Sequence, residues 1–411
     1  MSLPLLLVVL GLVIWIYLCG ALAVLTKVRL RWAIVIAIMA AVVTASSLST
    51  ILATSTLGAT PYRIPLTIAS LEVTWLFYLC CTLTLVYLIG GLWWIVRRWL
   101  KTPSQPARAV EQTPRLPARI LTLRLLSVLA IAVSLVITGY GFVKAQRPVV
   151  TEITASFDDF PPNFDGMTIA LVTDIHIGAT TRPSFLPMVV SQINATEPDL
   201  IVIAGDLVDG PMDSLSEQME PLGDLTAAYG VVMTMGNHDS FLDAVLWMDY
   251  FTSLGITVLA NDALVLHRGD QRLEVLGIHD HYAYSGLVPD LTQALQAVDP
   301  LPPTDPHFRI LVAHQPLQVF SENNLASRSQ ISLHLSGHTH GGQLWPMGAY
   351  TSRNQPFMSG VHDVDGITVV TSRGVGNWLT PARVGAEPEI ILLSLSAASP
   401  PAPDSLHDDT G

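Results

Sequence analysis

The first 145 residues of this chain hold four long apolar runs without charge, at 3–25, 32–54, 73–96 and 125–143. Each comes close to the ~20 apolar residues that cross the hydrocarbon core of a bilayer. A soluble core would have to bury all four, and uncharged runs of this length are rare there. Trp32, Trp93, Trp94 and Trp99 fall at their ends, where interfacial aromatic side chains belong. We therefore expect four transmembrane helices. The first run has no Lys or Arg before Lys27, so it lacks the basic start of a signal peptide. Ile16-Tyr17-Leu18 is too bulky to make Cys19 a good lipoprotein site, and the run is read as a retained helix.

Charge divides the chain at the same place. Residues 1–145 carry 12 Lys and Arg against Glu72 and Glu111, a net of +10. Residues 146–411 carry 9 Arg, no Lys and 31 acids, a net of −22. An acidic half of this strength repels polyanions and counts against DNA or RNA as a bound partner. The basic residues also orient the membrane region. Lys27, Arg29 and Arg31 follow the first run, and seven more, from Arg97 to Arg124, follow the third. Arg63, Lys144 and Arg147 oppose them. Positive loops stay cytoplasmic, so the acidic half is expected on the outer, periplasmic or extracellular, side of the cytoplasmic membrane. Residues 102–118 read as a basic linker able to touch anionic lipid, and the inert tether is the simpler reading. Cys19, Cys80 and Cys81 all lie in apolar runs, so the acidic half has neither a disulfide framework nor a cysteine zinc site.

The expected organisation is a membrane region over 1–145, a catalytic domain over 150–396 and a disordered Pro/Ala/Asp-rich tail over 397–411. Within 150–396, short β-branched runs alternate with amphipathic segments, an α/β pattern. Strands are expected at 167–173, 200–204, 231–235, 264–267, 273–278, 308–313, 331–335, 367–371 and 390–395. Helices are expected at 185–195, 215–228 and 241–254. Polar residues recur at the strand C-termini, where open α/β sheets bind ligands.

Five such strand ends carry the chemistry: Asp174-Ile175-His176; Gly205-Asp206-Leu207-Val208-Asp209; Gly236-Asn237-His238-Asp239; His314; and Gly337-His338-Thr339-His340. Taken singly each has a bland reading: a turn, a loop, a helix cap, a core histidine. His-x-His in a strand points both rings to one face. Taken together they offer carboxylate, amide and imidazole donors after successive apolar strands, a set suited to Mn, Fe or Zn.

With these segments in view, the acidic half resembles the calcineurin-like metallophosphoesterase superfamily. Leu335-Ser336-Gly337-His338-Thr339-His340-Gly341-Gly342-Gln343, Ser372-Arg373-Gly374-Val375-Gly376 and Pro381-Ala382-Arg383 look most like its bacterial membrane-anchored branch. The resemblance implies a four-layer αββα sandwich and two divalent metal ions. It implies Asp174, His176 and His340 on the first metal, Asn237, His314 and His338 on the second, and Asp206 bridging both. A hydroxide between the metals would attack phosphorus in line, with His238 stabilising charge or protonating the leaving group and Asp209 orienting His238. Gly210 stands where phosphoprotein phosphatases of the superfamily have Arg, which weakens a protein phosphatase reading. Arg373 and Arg383 remain as candidate phosphate grips, against the simpler reading of salt-bridged arginines. His281, in His279-Asp280-His281, is a candidate pocket residue; a loop histidine without a ligand is the plainer one. Arg268-Gly269-Asp270 reads as a hairpin turn.

The function expected is hydrolysis of a phosphodiester or phosphomonoester, with a lipid or cell-envelope substrate indicated by location. The alternatives are a small-nucleotide or cyclic-nucleotide phosphodiesterase and a non-catalytic membrane receptor or scaffold. All seven expected metal ligands are present, which disfavours the scaffold.

Overall fold

The computed structural model describes residues 63–100 and 118–398, apart from 242, 283–285, 300–307 and 321–327, together with Gly20. The expected spans at 3–25 and 32–54, nearly all of the basic linker and the tail beyond 398 lie outside the described residues.

The described chain divides into two units. The first contains helices α1 (Arg63–Leu100) and α2 (Ala118–Ala145), joined by Ala179–Thr181 and Trp378–Val384. The expected spans 73–96 and 125–143 fall inside these helices. Both are long and apolar enough to cross a membrane, yet only 12% and 22% of their most apolar windows are buried. A soluble core helix would bury most of that surface, whereas Ile64, Leu88 and Val136 are 74%, 66% and 71% exposed. The helices meet through Leu76, Leu79, Leu83 and Ala130, and Trp75 Nε1–H donates to Ser134 Oγ at 3.0 Å. Within the same unit, Thr380 Oγ1–H donates to the Ser70 carbonyl at 3.0 Å, and the Arg383 N–H donates to the Gly141 carbonyl at 2.9 Å.

The second unit is built on two six-stranded sheets. Strands β1 (Val149–Phe157), β2 (Thr168–Val172), β3 (Leu200–Ala204), β4 (Val231–Thr234) and β5 (Thr257–Val258) belong to the first sheet. Strands β6 (Asp262–Arg268), β7 (Gln271–Gly277), β8 (Arg309–Val312), β9 (Leu333–Ser336), β10 (Gly360–Val364) and β11 (Ile367–Thr371) form the second. β12 (Glu389–Ala397) returns to the first, between β1 and β2. The orders are β1-β12-β2-β3-β4-β5 and β10-β11-β9-β8-β7-β6.

Side-chain alternation sets the layers. Ile169, Leu171 and Val202 of the first sheet share one core with Leu273, Val275, Ile310, Leu333 and Leu335 of the second. The opposite faces carry helices. Ala170, Val172, Ile201, Ile203 and Met233 pack on α3 (Phe185–Asn194), α4 (Met212–Met219) and, past α5 (Asn237–Phe241), α6 (Ala244–Ser253). Leu276, Leu311 and Val369 pack on α7 (Leu291–Gln296). Strands β2, β3 and β4 are parallel neighbours, as are β7, β8 and β9. Their C-terminal ends therefore open on common edges, where the chemistry-bearing segments begin.

Two helix expectations need correction. The helix expected at 215–228 ends at Met219 and passes into a 3-10 turn, Glu220–Asp224. Pro221 has no N–H for a helical bond and Gly223 is a weak helix former, so the amphipathic pattern outruns the helix. The helix expected at 241–254 is two pieces, because Asp243 adopts φ 52° and breaks the run.

Candidate metal centre

Each expected metal ligand sits just past the end of a parallel strand. Asp174 and His176 follow β2, Asp206 follows β3, Asn237 opens α5 after β4, His314 follows β8, and His338 and His340 follow β9. The backbone turns sharply at these places. Asp174, His176, Asp206, His338 and His340 all have positive φ, between 49° and 67°. Such conformations are uncommon outside glycine, and their concentration in one set of side chains marks a functional site. The neighbouring glycines allow the close approach. A Cβ at Gly236 would collide with Asp206 Oδ1, and one at Gly337 with Asp174 Oδ2.

The side chains converge. Three overlapping groups could each hold a metal ion: Asp174, His176 and His340; His176, Asp206 and His238; and Asp206, His314 and His338. Within each group one donor atom per residue lies within 4.8 Å of the others. His176 Nε2 faces His340 Nε2 at 3.1 Å, and His314 Nε2 faces His338 Nδ1 at 3.2 Å. Asp206 Oδ2 lies 3.0 Å from His314 Nε2 and 3.7 Å from His176 Nε2, between the two imidazole pairs.

The donors fit a divalent cation on three counts. Asp174 Oδ1 and Asn237 Oδ1 are buried oxygens with no hydrogen-bond partner, a costly state unless a ligand satisfies them. Tautomers are constrained so that one nitrogen of a ring is held by a fixed acceptor and the other is turned into the donor cluster. The Ala204 carbonyl only accepts, so at 2.7 Å it holds the proton on His314 Nδ1 and leaves Nε2 as donor atom. The Asp209 carboxylate likewise holds the proton on His176 Nδ1 at 2.8 Å and His238 Nδ1 at 2.7 Å. Finally, the facing imidazole nitrogens of each pair cannot both carry hydrogen, and a shared positive ion removes that conflict.

The electrostatics show how strongly these donors act on one another, and a metal ion at His314 Nε2 would replace the proton that Asp206 holds there. Burial opposes charge on Asp206, but the adjoining His314 outweighs it and holds the carboxyl well below the usual carboxylate range. The same burial works against His314, whose contact with Asp206 pushes it up to about 10. His338, buried and close to His314, is pushed down to about 4. Its ring is neutral at pH 7, the form that binds metal.

Two arrangements exceed what the motifs indicate. Asp209 orients both His238 and His176, so one carboxylate fixes a candidate catalytic ring and a candidate ligand. Asp239, given no role by the sequence reading, is wholly buried and accepts from the N–H groups of Asp206, Leu207, Val208 and Gly236 at 2.7–3.1 Å. Burial, with the Asp206 charge nearby, raises its carboxyl to about 6. It ties the turn after β3 to the turn after β4 and so holds Asp206 against Asn237. Its place in Gly-Asn-His-Asp is the available signal, masked there by the plainer reading of that segment as a helix cap.

The remaining candidates sit as follows. The stem of Arg373 lies beside Gly341, where an added Cβ would meet its Cγ at 2.8 Å, but its guanidinium is bonded to Glu389. Arg383 is buried in the helical unit. His281 is exposed and meets Tyr282 edge-on at 5.0 Å. The fold thus brings together Asp174, His176, Asp206, His314, His338 and His340 with the pair His238 and Asp209, while Asn237 follows the neighbouring strand β4 with its Oδ1 buried. It does not bring the guanidinium of Arg373 into that donor set.

A fold of two facing sheets, with His, Asp and Asn donors gathered at their strand ends, defines a protein of the metallophosphoesterase class. The chain belongs to the calcineurin-like phosphoesterase family, whose signature matches residues 167–342. It is 35% identical over 285 residues to a "Transmembrane protein with metallophosphoesterase domain" of Bos taurus, covering 66% of this chain and 62% of that one. It is 31% identical over 294 residues to an "Uncharacterized metallophosphoesterase" of Helicobacter pylori, covering 70% of this chain and 75% of that one. The chain thus spans somewhat less than two thirds of the vertebrate relative. Among solved structures, a Thermus thermophilus sulfate thiohydrolase aligns with a TM-score of 0.35 at 14% identity, covering 58% of this chain and 57% of that one. The bovine name and the two exposed apolar helices support membrane association.

Proposed function

We propose that this chain is a membrane-anchored phosphoesterase that uses two divalent ions, Mn, Fe or Zn, to hydrolyse a phosphodiester or phosphomonoester. The observation that carries the reading is Asp206 lying between two imidazole pairs, His176 with His340 and His314 with His338, with the buried unpartnered Asp174 Oδ1 beside the first. Asp174, His176 and His340 would hold one ion, Asn237, His314 and His338 the other, and Asp206 both. When bound, such ions acidify water and neutralise charge on phosphoryl oxygens.

The chain's own groups supply the rest. Asp206 has two oxygens and a negative charge to share between cations, which a neutral imidazole lacks. His238 keeps its proton on Nδ1 through Asp209, and its ring would stabilise charge or pass a proton to the leaving oxygen. Its pKa is raised, with burial opposing the shift and Asp209 driving it, which favours a proton-donating role. Arg373, Arg383 and His281 are proposed to meet the substrate. For Arg373 this requires its guanidinium to leave Glu389, whereas its stem already lies beside the His340 turn. The membrane region is read as multi-pass, with the catalytic domain on the outer side of the cytoplasmic membrane, from the basic loops.

The test is turnover of bis(p-nitrophenyl) phosphate by the full chain with Mn, with and without chelator. Turnover abolished by chelator and restored by Mn is expected, and its absence at any metal concentration would overturn the reading. Cyclic nucleotides belong in the same screen, because two bound cations offset the domain's acidity locally for a small nucleotide.

A further inference from the structure

The edge of the catalytic unit beside the candidate metal centre is unusually apolar. Immediately after Asn237 and His238, Phe241 is 44%, Val245 58% and Leu246 51% exposed. The Phe241 ring lies 5.0 Å from that of His238. Immediately after His338 and His340, Trp345 is 71%, Met347 39% and Tyr350 65% exposed. Tyr350 rides on the short helix Gly348–Thr351, which packs directly on the His340 turn: a Cβ at Gly342 would strike Gly348 Cα. The turns from which the two patches continue meet at His176, whose ring lies 4.8 Å from His238 and 4.9 Å from His340. Single exposed apolar residues need no explanation, but two groups on adjoining ligand turns form a collar.

The composition of the collar indicates its occupant. Trp and Tyr with a neighbouring Arg make up a membrane-interface anchor, in which rings lie at headgroup depth and a guanidinium meets phosphate. Arg353 provides that cation, exposed and 5.9 Å from the Tyr350 ring, in a half-chain with only nine arginines. The tether supplies the proximity. The apolar helix α2 ends at Ala145 and β1 begins at Val149, so three residues link the unit to a membrane-length helix. At ~3.5 Å per residue that link spans little more than ~10 Å.

We propose that this collar docks on the surface of the bilayer that anchors the chain, so that the metal centre takes the phosphate ester of a lipid headgroup. The substrate class rests on the phosphoesterase reading above; the docking does not. A water-soluble ester has no need of an apolar rim, whereas a headgroup ester reaches buried donors only if the rim enters the interface.

The experiment uses the full chain in phosphatidylcholine vesicles, with Cys19, Cys80 and Cys81 replaced by Ser and one new cysteine, Leu246→Cys, Tyr350→Cys or Asp270→Cys, labelled with an environment-sensitive nitrobenzoxadiazole dye. Asp270 is the exposed control, at the hairpin between β6 and β7, away from the strand C-termini. Lipids brominated along the upper acyl chain should quench the labels at 246 and 350 about twofold, as insertion of roughly 5–10 Å implies, and leave the label at 270 unchanged. Unquenched labels at 246 and 350, or equal quenching at 270, would overturn the docking. Protection of those labels that depends on protein concentration but not on bromine would assign the collar to a second copy and overturn it as well.

A Leu246→Asp/Tyr350→Asp variant tests the substrate class. It should lose about tenfold in turnover of a phospholipid bearing a methylumbelliferyl headgroup ester, one decade being ~1.4 kcal/mol of lost interfacial binding, and keep its bis(p-nitrophenyl) phosphate turnover. Equal retention of both overturns the proposal. Quenching at the rim in a chain that hydrolyses neither ester would support the docking and remove only the enzyme reading.

Discussion

Asp209 and Asp239 are the residues on which the centre's order depends, through different chemistry. Asp209 is half-exposed at the rim and fixes two ring tautomers. Asp209→Asn can present an N–H where both rings need an acceptor, so His176 and His238 turn. Turnover is expected to fall by about 10²–10³ with folding intact, as for loss of an oriented acid-base group, measured as kcat beside a thermal melt. Asp239 contributes folding instead. Asp239→Ala would leave four buried N–H groups without an acceptor, at a cost of about 3 kcal/mol or more. The expected result is a clear drop in melting temperature, together with weaker metal binding because the β3 and β4 turns separate. A variant with an unchanged melting temperature would contradict this role. The ligands were legible as residues because each follows an apolar strand in a recognisable short segment. The double duty of Asp209 and the four bonds of Asp239 were not, since a carboxylate's partners depend on which turns the sheet brings together.

At the level of elements, strands with both faces in core declared themselves by continuous apolar runs: 200–204 and 367–371 are found as expected. Strands with a wet face did not. β1 and β10 mix Thr151, Glu152 and Asp363 with their apolar residues, and neither is among the expected strands. β1 gains its partner only from β12, some 240 positions later, in parallel register from Val149 with Glu389 to Phe157 with Ala397. The helix ends failed where Pro221 and Asp243 overruled periodicity. One strand residue makes a further prediction. His334 of β9 is wholly buried, with Leu311 and Val369 as strand neighbours, and burial pushes it down to about 4. The unfolded ring takes its proton near 6.5, so the unfolded chain binds more protons than the folded one between these values. Stability from this residue is therefore full above pH 6.5 and is lost as pH falls towards 4, by about 3 kcal/mol. His334→Leu should flatten that part of the stability-versus-pH curve, read from thermal melts at pH 4–7. An unaltered curve would show that the ring is protonated without penalty.

For the whole molecule, the divided charge was the most informative sequence property. It separates a basic, apolar region from an acidic domain without lysine independently of any motif. The two described helices carry the expected apolar surface, and the two earlier spans lie outside the described residues. A net of −22 over 146–411 predicts no measurable binding of DNA or RNA at physiological salt, checked by electrophoretic mobility shift; tight, salt-sensitive binding would contradict the charge argument. The central claim is that side chains from five strand ends gather around two cations that share Asp206. It is tested most directly by counting metal. The full chain, stripped with chelator and reloaded with Mn, should hold two ions per chain by elemental analysis, and Asp206→Asn should hold fewer and lose turnover with them. A chain that binds no divalent metal, or an Asp206→Asn variant with two ions and full turnover, would contradict the account.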